Sequence, residues 1–440
     1  MRTFLILWSG QLVSAIGSTM SIFALNIWIW QLTGKATAIA LFVFFSQLPQ
    51  IFVALFAGIL VDRFNRKHLM ILGDTCGALF TITIGLLYLT DNLLLWRLYA
   101  LVAVYSSFAH IQNLAYSTSI PLMAPKQHYV RANSMSTLVI QASAIIAPAL
   151  TGSLYPTIGL LGIIIVDITT FVIGFGTLLL VHIPQPSQTD TTNSEHETIW
   201  QKLAFGFRYI FSEPSLLAMT MAVSLFWFAH RLGETVYQPM ILARTGGDTQ
   251  VLGVVVTAAG VGGVIGASAL SIWGGFKRRV HGMLIGFIGV GLGKIILGLG
   301  QKPLIWVGAQ LFSSVNAPLV FSSSNAIWYA KIPPYIQGRV FAADSTIGMI
   351  IGAMASLMAG PLADQVFEPA MKPGGLLASI LGPIFGPQPG GGIALLYVIT
   401  AICIVLTGIG GYAFRTLRSV EDVLLDHDLT RACFKTFRNR

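Results

Sequence analysis

What most restricts this chain is a succession of twelve apolar runs, near residues 4–30, 37–61, 68–90, 94–119, 133–155, 160–182, 215–242, 250–273, 281–300, 303–329, 340–363 and 393–414. A bilayer core takes about 20 apolar residues per helix, and lipid offers the backbone no hydrogen-bond partner, so such runs must be membrane-spanning helices. With 55% hydrophobic and 10% charged residues, no soluble core hides this apolar surface, and a soluble enzyme or binding domain is excluded. The first run is longer than the apolar region of a secretory signal and is preceded only by Arg2, so it is read as retained. Cys76 and Cys403 fall within spans and Cys433 beyond the last one, which is neither a disulfide framework nor a metal spacing; no metal and no cofactor is expected.

The stretch "GILVDRFNRKHL", residues 58–69, concentrates charge between two spans. With that stretch in the cytoplasm, nineteen of the 26 Lys and Arg residues lie on the same side, five on the other, and two within spans. Basic residues favour the cytoplasmic face, so a multi-pass protein of the plasma (inner) membrane with both termini in the cytoplasm is expected. The net charge of +9 is accounted for by this asymmetry and gives no reason to expect a nucleic-acid partner. Sliding the chain against itself by 208 residues places Gly58 on Gly266, Pro125 on Pro333, Arg131 on Arg339 and Gly152 on Gly360. Four matches at one offset, each at a loop or helix end, imply an internal duplication. The expected organisation is a six-helix bundle over 1–182, a cytoplasmic linker with an amphipathic helix over 183–214, a second six-helix bundle over 215–414 and a cytoplasmic tail over 415–440. The linker holds the longest polar stretch, "IPQPSQTDTTNSEHETI", followed by the amphipathic "WQKLAFGFRYIF".

The sequence of the loop carries a resemblance. Gly58, Asp62, Arg63, Asn65, Arg66 and Lys67 look like the signature between the second and third helices of the major facilitator superfamily. Over the whole chain, "LWSGQLVSAIGSTMSIFAL" (7–25), "WQLTGKATAIAL" (30–41), "DRFNRK" and the insert at 367–396 resemble its macrolide-efflux branch of drug and metabolite exporters. Two departures stand out: Asn65 where much of the superfamily has Gly, and Gly390, Gly391 and Gly392 where branch members often carry an Arg. The resemblance implies an all-α fold of twelve transmembrane helices in two pseudo-symmetric six-helix bundles. It also implies that Gly58, Asp62, Arg63, Arg66 and Lys67 form a conformational latch. Physically, Gly58 allows close helix approach, the turn calls for a residue tolerant of positive φ such as Asn65, and Asp62 is able to face bases or a helix N-terminus. Topological anchoring is as good a reading for the three bases. Ser143, Ala147, Pro148 and Gly152, in "SAIIAPALTG", resemble the superfamily's antiporter motif with most of its glycines replaced by small residues. The pairs Gly262/Gly266, Gly282/Gly286, Gly289/Gly293 and Gly348/Gly352 read as packing faces.

An ionised side chain at the bilayer centre costs about 2.5–3.5 kcal/mol on insertion scales, so the few present need a partner or a cavity. Arg231, Glu234 and Gln238 share a face of the seventh span, with His230 four residues before Glu234. Glu234, Asp167 and Arg231 are the candidates for proton coupling; a structural ion pair is the even alternative for Glu234. Asp344, Lys294 and His110 lean structural, and Asp74 is set beside them without a role. Gln11, Ser14 and Ser18 with Ser21, then His110, Asn113 and Ser117 with Ser106, then Asn316 with Ser313 and Ser323, form polar stripes on spans 1, 4 and 10. With Gln238 these are the candidate substrate-cavity residues, because the resemblance implies that spans 1, 4, 7 and 10 line the pathway.

No G-x-x-x-x-G-K-[ST] loop is present to cradle ATP, so transport would draw on an ion gradient or run passively. The expected function is proton-coupled export of a bulky amphipathic compound, such as a drug, macrolide, siderophore or secondary metabolite, by alternating access. The expected partners are that small molecule, protons and the bilayer, and the protein is expected to be a monomer. A lipid or lysophospholipid translocator of the same fold is the alternative. A membrane-embedded enzyme is disfavoured by the lack of H-E-x-x-H, G-x-S-x-G or paired catalytic acids.

Overall fold

The computed structural model describes residues 2–123, 125–181, 183, 199–386, 388–418 and 420–423. The apolar runs are helices: α1 (Arg2–Thr33), α2 (Ala36–Arg63), α3 (Arg66–Leu89), α4 (Leu95–Met123), α5 (Tyr129–Leu180), α7 (Pro214–Thr245), α8 (Thr249–Trp273), α9 (Arg279–Leu299), α10 (Pro303–Lys331), α11 (Pro334–Pro361) and α14 (Gly391–Ala413). Between them lie α6 (Ile199–Ser212), a π-helical turn (Leu362–Phe367), α12 (Glu368–Met371) and α13 (Ala378–Phe385), and α15 (Arg415–Arg418) and α16 (Val420–Val423) follow. Ten of these helices are long and apolar enough to cross a membrane. The 52 residues of α5 break at Gly159, whose φ of 62° and ψ of −170° only glycine adopts readily, so α5 supplies two spans. The 29-residue α4 is not one of those ten but is long enough to cross a bilayer core of about 30 Å at about 1.5 Å per residue, and counting it with both arms of α5 gives twelve spans among the described residues. The fold is all-α, as expected, and α6 begins where the amphipathic segment was placed.

Two compact units emerge from the packing. The first comprises Met1–Asn193, Thr235–Gly260 and Ser356–Ile393. Its core gathers Phe4, Leu7, Val61, Met70, Ala115 and Leu178. Lipid is as apolar as leucine, so helix contacts in a membrane depend on close packing. Here α5 and α8 touch backbone to backbone: a Cβ on Gly152 would stand 2.7 Å from the Thr249 carbonyl oxygen and 2.9 Å from Gly253 Cα. Thr249 and Thr257 reinforce this seam by donating to the carbonyls of Gly152 (3.2 Å) and Ile145 (3.3 Å). Gly360, the repeat partner of Gly152, makes the corresponding backbone approach to Thr37 of α2.

The second unit comprises Ser194–Glu234, Val261–Ala355 and Ala394–Arg440. Its core is built on Phe226, Phe287, Met283, Trp328 and Val340, with the Phe226 and Phe287 rings stacked at 4.4 Å. The glycines of α9 receive α10: Gly282 faces Ser323, Gly286 faces Val320, Gly289 faces Asn316 and Gly293 faces Ser313. Gly262 and Gly266 of α8 lie against the Leu311 and Val315 carbonyls in the same manner. Gly348 has nothing within 4 Å of a built Cβ and is not a packing face, unlike the other pairs.

The duplication is visible in single bonds. Arg66, the first residue of α3, donates to the Thr118 carbonyl near the end of α4 at 2.6 Å. Arg279, the first residue of α9, donates to the Ala326 carbonyl near the end of α10 at 3.1 Å. Thr118 and Ala326 are 208 residues apart, whereas Arg66 and Arg279 are 213 apart, so the bond recurs with its donor shifted by five residues. In both places a guanidinium meets the negative end of a helix dipole.

Three helices lack a side-chain cap of their own and receive one from a distant carboxylate. Asp364 accepts the Ala36 and Thr37 N–H groups at 3.1 and 2.7 Å and the Thr37 hydroxyl at 2.6 Å, capping α2. Glu368 accepts the N–H groups of Gly390, Gly392 and Ile393 at 2.8, 3.1 and 3.2 Å, capping α14. Glu421 accepts from the N–H groups of Arg279 and Val280, each at 3.1 Å, capping α9. Free N–H groups at a helix start carry partial positive charge, so a carboxylate there satisfies donors and dipole together.

Candidate functional site

In the first unit, α1, α3, α4 and the second arm of α5 line a partly open cavity of about 210 Å³. Two carboxylates line it. Asp167, 3% exposed, accepts hydrogen bonds from Ser18 Oγ at 3.2 Å and Thr81 Oγ1 at 2.9 Å. Asp74, 8% exposed, takes a hydrogen bond from Gln112 Nε2 on its Oδ1, while its Oδ2 is buried without a hydrogen-bond partner among the described residues. Gln11 lies near enough to act on the Asp74 carboxylate, and its Nε2 is likewise buried without a partner. Tyr105, stacked on Phe80 at 4.7 Å, is within electrostatic reach of both acids. No lysine, arginine or histidine is among the lining residues.

The second unit holds the other cluster. Glu234 Oε2 is 3.2 Å from Arg231 Nη1 and 3.6 Å from His230 Nε2. Lys294 of α9, 5% exposed, is within electrostatic reach of Glu234 and lies 5.4 Å from the Tyr397 ring centre. Trp227 carries the Arg231 guanidinium at 5.2 Å, and Phe226 stacks on His230 at 5.4 Å. Glu234 is thus one acid among three bases, and Lys294 does not stand apart from it as its isolated place in the sequence suggested. Gln238 falls in the first unit, its Oε1 buried without a partner among the described residues.

The signature loop is fixed from within the first unit. Asn65 caps α3, accepting from the N–H groups of Lys67 at 2.9 Å and His68 at 3.4 Å. Its φ is −61° and its ψ 119°, so the expected left-handed turn is not formed: an N-cap requires extended backbone, and asparagine serves there through its side chain. Lys67 Nζ donates to the Leu179 and Val181 carbonyls at 3.0 and 2.7 Å, at the end of α5. Arg63 is exposed, and the surroundings of Gly58 and the side chain of Asp62 lie outside what the structure describes.

A family model described as the Major Facilitator Superfamily matches residues 7–356. The chain belongs to the Major Facilitator Superfamily. It is therefore a secondary transporter of the membrane and not an enzyme. Among curated relatives, macrolide efflux protein A of Streptococcus pyogenes is 23% identical over 360 residues, covering 81% of this chain and 88% of that protein. The multidrug efflux pump Tap of Mycolicibacterium fortuitum is 23% identical over 356 residues, covering 79% and 86%. Two solved structures show the same fold. A bacterial homolog of the human lysosomal transporter Spinster, in an inward-facing unoccupied conformation, superposes with a TM-score of 0.71 at 14% identity, covering 96% of this chain and 97% of that one. The nucleoside transporter NupG gives 0.66 at 13% identity, covering 94% and 99%.

Within this member of the superfamily the polar stripes are divided. Gln11, Ser14, Ser18 and Asn113 line the cavity inside the first unit. His110 is half-buried and outside that lining, and Ser117 bonds back to the Leu114 carbonyl at 3.0 Å. The α10 stripe packs on α9: Ser313 donates to the Val290 carbonyl at 3.0 Å, and Asn316 bonds to Phe312 of its own helix. Small polar residues opposite glycines satisfy one another at close range, which explains this stripe without a pathway. In the antiporter-like stretch Ala147 is fully buried, Ser143 bonds to the Val139 carbonyl at 2.7 Å, and Pro148 and Gly152 face Gly253. Asp74, Thr81 and Gln112 were not selected from sequence; the available signal was Asp74 lying within an apolar run, where an acid always needs an explanation.

Proposed function

We propose that this protein exports a bulky amphipathic compound, of the drug, macrolide, siderophore or secondary-metabolite kind, in exchange for protons. Transport proceeds by alternating access of the halves 1–182 and 215–414. The protein is a monomer in the plasma (inner) membrane with both termini in the cytoplasm. The observation that carries this reading is a set of acids held inside membrane-spanning helices, Asp74, Asp167 and Glu234, in a chain without a nucleotide-binding loop. Such groups are able to take up and release a cation as access alternates. The efflux proteins among its relatives support the direction and the class of cargo. Asp167, Glu234 and Arg231 are the coupling candidates, and the loop from Gly58 to Lys67 latches one conformational state through Asp62. The close α5–α8 seam at Pro148 and Gly152, in the stretch that also holds Ser143 and Ala147, supports the antiporter assignment.

The test is reconstitution in vesicles with an imposed pH gradient and a panel of dyes, macrolides and siderophores. Gradient-driven uptake into inverted vesicles is expected for at least one compound and is expected to fall to background when the gradient is collapsed. Equal uptake without the gradient refutes antiport, and selective movement of lysophospholipid favours a lipid translocator.

A further inference from the structure

Inside the first unit, the polar cavity between α1, α3, α4 and the second arm of α5 has a charge imbalance that its own residues do not resolve. Asp74 and Asp167 supply two carboxylates, and the remaining titratable group facing it is Tyr105 on α4; α1 contributes only neutral Gln11, Ser14, Ser18 and Thr19 among its polar groups there. Two ionised carboxylates without a base, inside helices surrounded by lipid, are strongly disfavoured, so a positive charge must enter from outside. The geometry marks where. Asp167 has both oxygens engaged by Ser18 and Thr81, whereas Asp74 Oδ2 is buried with no hydrogen-bond partner among the described residues and with only the neutral Gln11 amide near the carboxylate beyond Gln112, so no charge offsets it. The cavity has room for about seven waters at roughly 30 Å³ each, enough for a small cation with part of its hydration. Every polar donor atom lining it belongs to a carboxylate, hydroxyl, amide or backbone group, with no histidine or cysteine, a set that suits a hard cation.

We propose that this cavity binds one small monovalent cation, a proton or sodium, between Asp74 and Asp167, and that Asp74 Oδ2 is the atom that receives it. Its use as the coupling ion rests on the secondary-transport reading above; its binding does not. The same reasoning sets Glu234 apart, because Arg231, His230 and Lys294 already surround that carboxylate. When the cation is a proton, one carboxyl oxygen gains an O–H bond and the pair carries a single negative charge. When it is sodium, both carboxylates stay ionised and the ion takes their oxygens with waters.

The test uses the purified full chain and two probes: radioactive sodium binding, and the infrared band of a protonated carboxyl group followed through a pH titration. Wild type is expected to show one of the two signals, which identifies the source. D74N and D167N are each expected to abolish it, and T81V, which keeps both carboxylates, is expected to weaken binding about tenfold by removing one hydrogen bond to a charged group. Monodisperse elution and an unchanged thermal midpoint for T81V keep the test valid where an Asp variant fails to fold. The proposal is overturned when wild type shows neither signal, when the signal survives D74N and D167N, or when E234Q removes it and D74N does not. In parallel, vesicles report gradient-driven transport of the panel of dyes, macrolides and siderophores: no transport of any of them by wild type, with cation binding intact, refutes the exporter and leaves the cation site standing.

Discussion

Asp364 offers the sharpest test of the distant caps, because it ties the segment after α11 to the first turn of α2 by three bonds. Asp364→Ala removes a cap worth about 0.5–2 kcal/mol and a charge–dipole contact worth about 0.3–1 kcal/mol. It also removes a hydroxyl bond to a charged acceptor, worth about 1.5 kcal/mol at the low end. The bonds are partly buried and their loss is partly offset by water, so a net effect of about 2–3 kcal/mol is expected. At 1.4 kcal/mol per factor of ten, the tie weakens roughly 30- to 150-fold. Asp364→Asn keeps one acceptor oxygen and loses the charge, so it is expected to fall midway. The assay is the distance distribution between spin labels on exposed Lys35→Cys and Leu376→Cys, in a background where Cys76, Cys403 and Cys433 are serine. A second, longer component is expected in Asp364→Ala and a smaller one in Asp364→Asn. An unchanged distribution together with an unchanged thermal midpoint refutes the argument that these bonds hold the two segments together.

Gly152→Ala places a methyl group 2.7–2.9 Å from backbone atoms of α8 and is expected to cost about 1–3 kcal/mol, read as a lowered melting temperature in detergent. Gly263→Ala, where a Cβ has open space, is expected to be neutral or to stabilise by about 0.5–1 kcal/mol, and a loss there would undermine the packing reasoning. Glu234→Gln leaves Arg231 and Lys294 without their acid, and since Glu234 is 47% exposed a modest loss of about 1 kcal/mol is expected. The double variant with Arg231→Gln is expected to recover part of it in the same melting assay. Glu421→Ala is expected to cost about 1–2 kcal/mol and to speed hydrogen exchange in the first turn of α9, with α3 as the unaffected comparison.

The helices, the duplication and the packing role of most glycine pairs were legible because each rests on local pattern: run length, a fixed offset, small residues four apart. The break at Gly159 falls in the gap between the runs 133–155 and 160–182, although nothing in the run lengths singles out that glycine. What did not read out depends on which helix a face meets. The serine and asparagine stripe on α10 has the periodicity of a pathway and meets the glycines of α9. The α1 stripe does line a cavity, but one completed by Asp74 and Thr81 of α3, which no periodicity on α1 announces. Asn65 was read for its tolerance of left-handed backbone and serves by its side chain, a choice set by the helix that follows it. Asp364, Glu368 and Glu421 escaped because the groups they satisfy lie 327, 22 and 142 residues away. A sequence clue existed: α2 and α9 open after Lys35 and Arg278, residues that do not cap, so their N–H groups had to be met from elsewhere.

The cap on α9 has a consequence for how the protein is made. Residue 421 supplies the acceptor for a helix that enters the membrane about 140 residues earlier, and the Lys331 ammonium closes on the Glu421 carbonyl at 2.6 Å. While translation is still under way α9 waits with bare amides at its first turn until residue 421 has been made. A fusion partner that replaces the chain beyond the last span, or a stop codon before 421, therefore removes a structural part of the second half and not an inert extension.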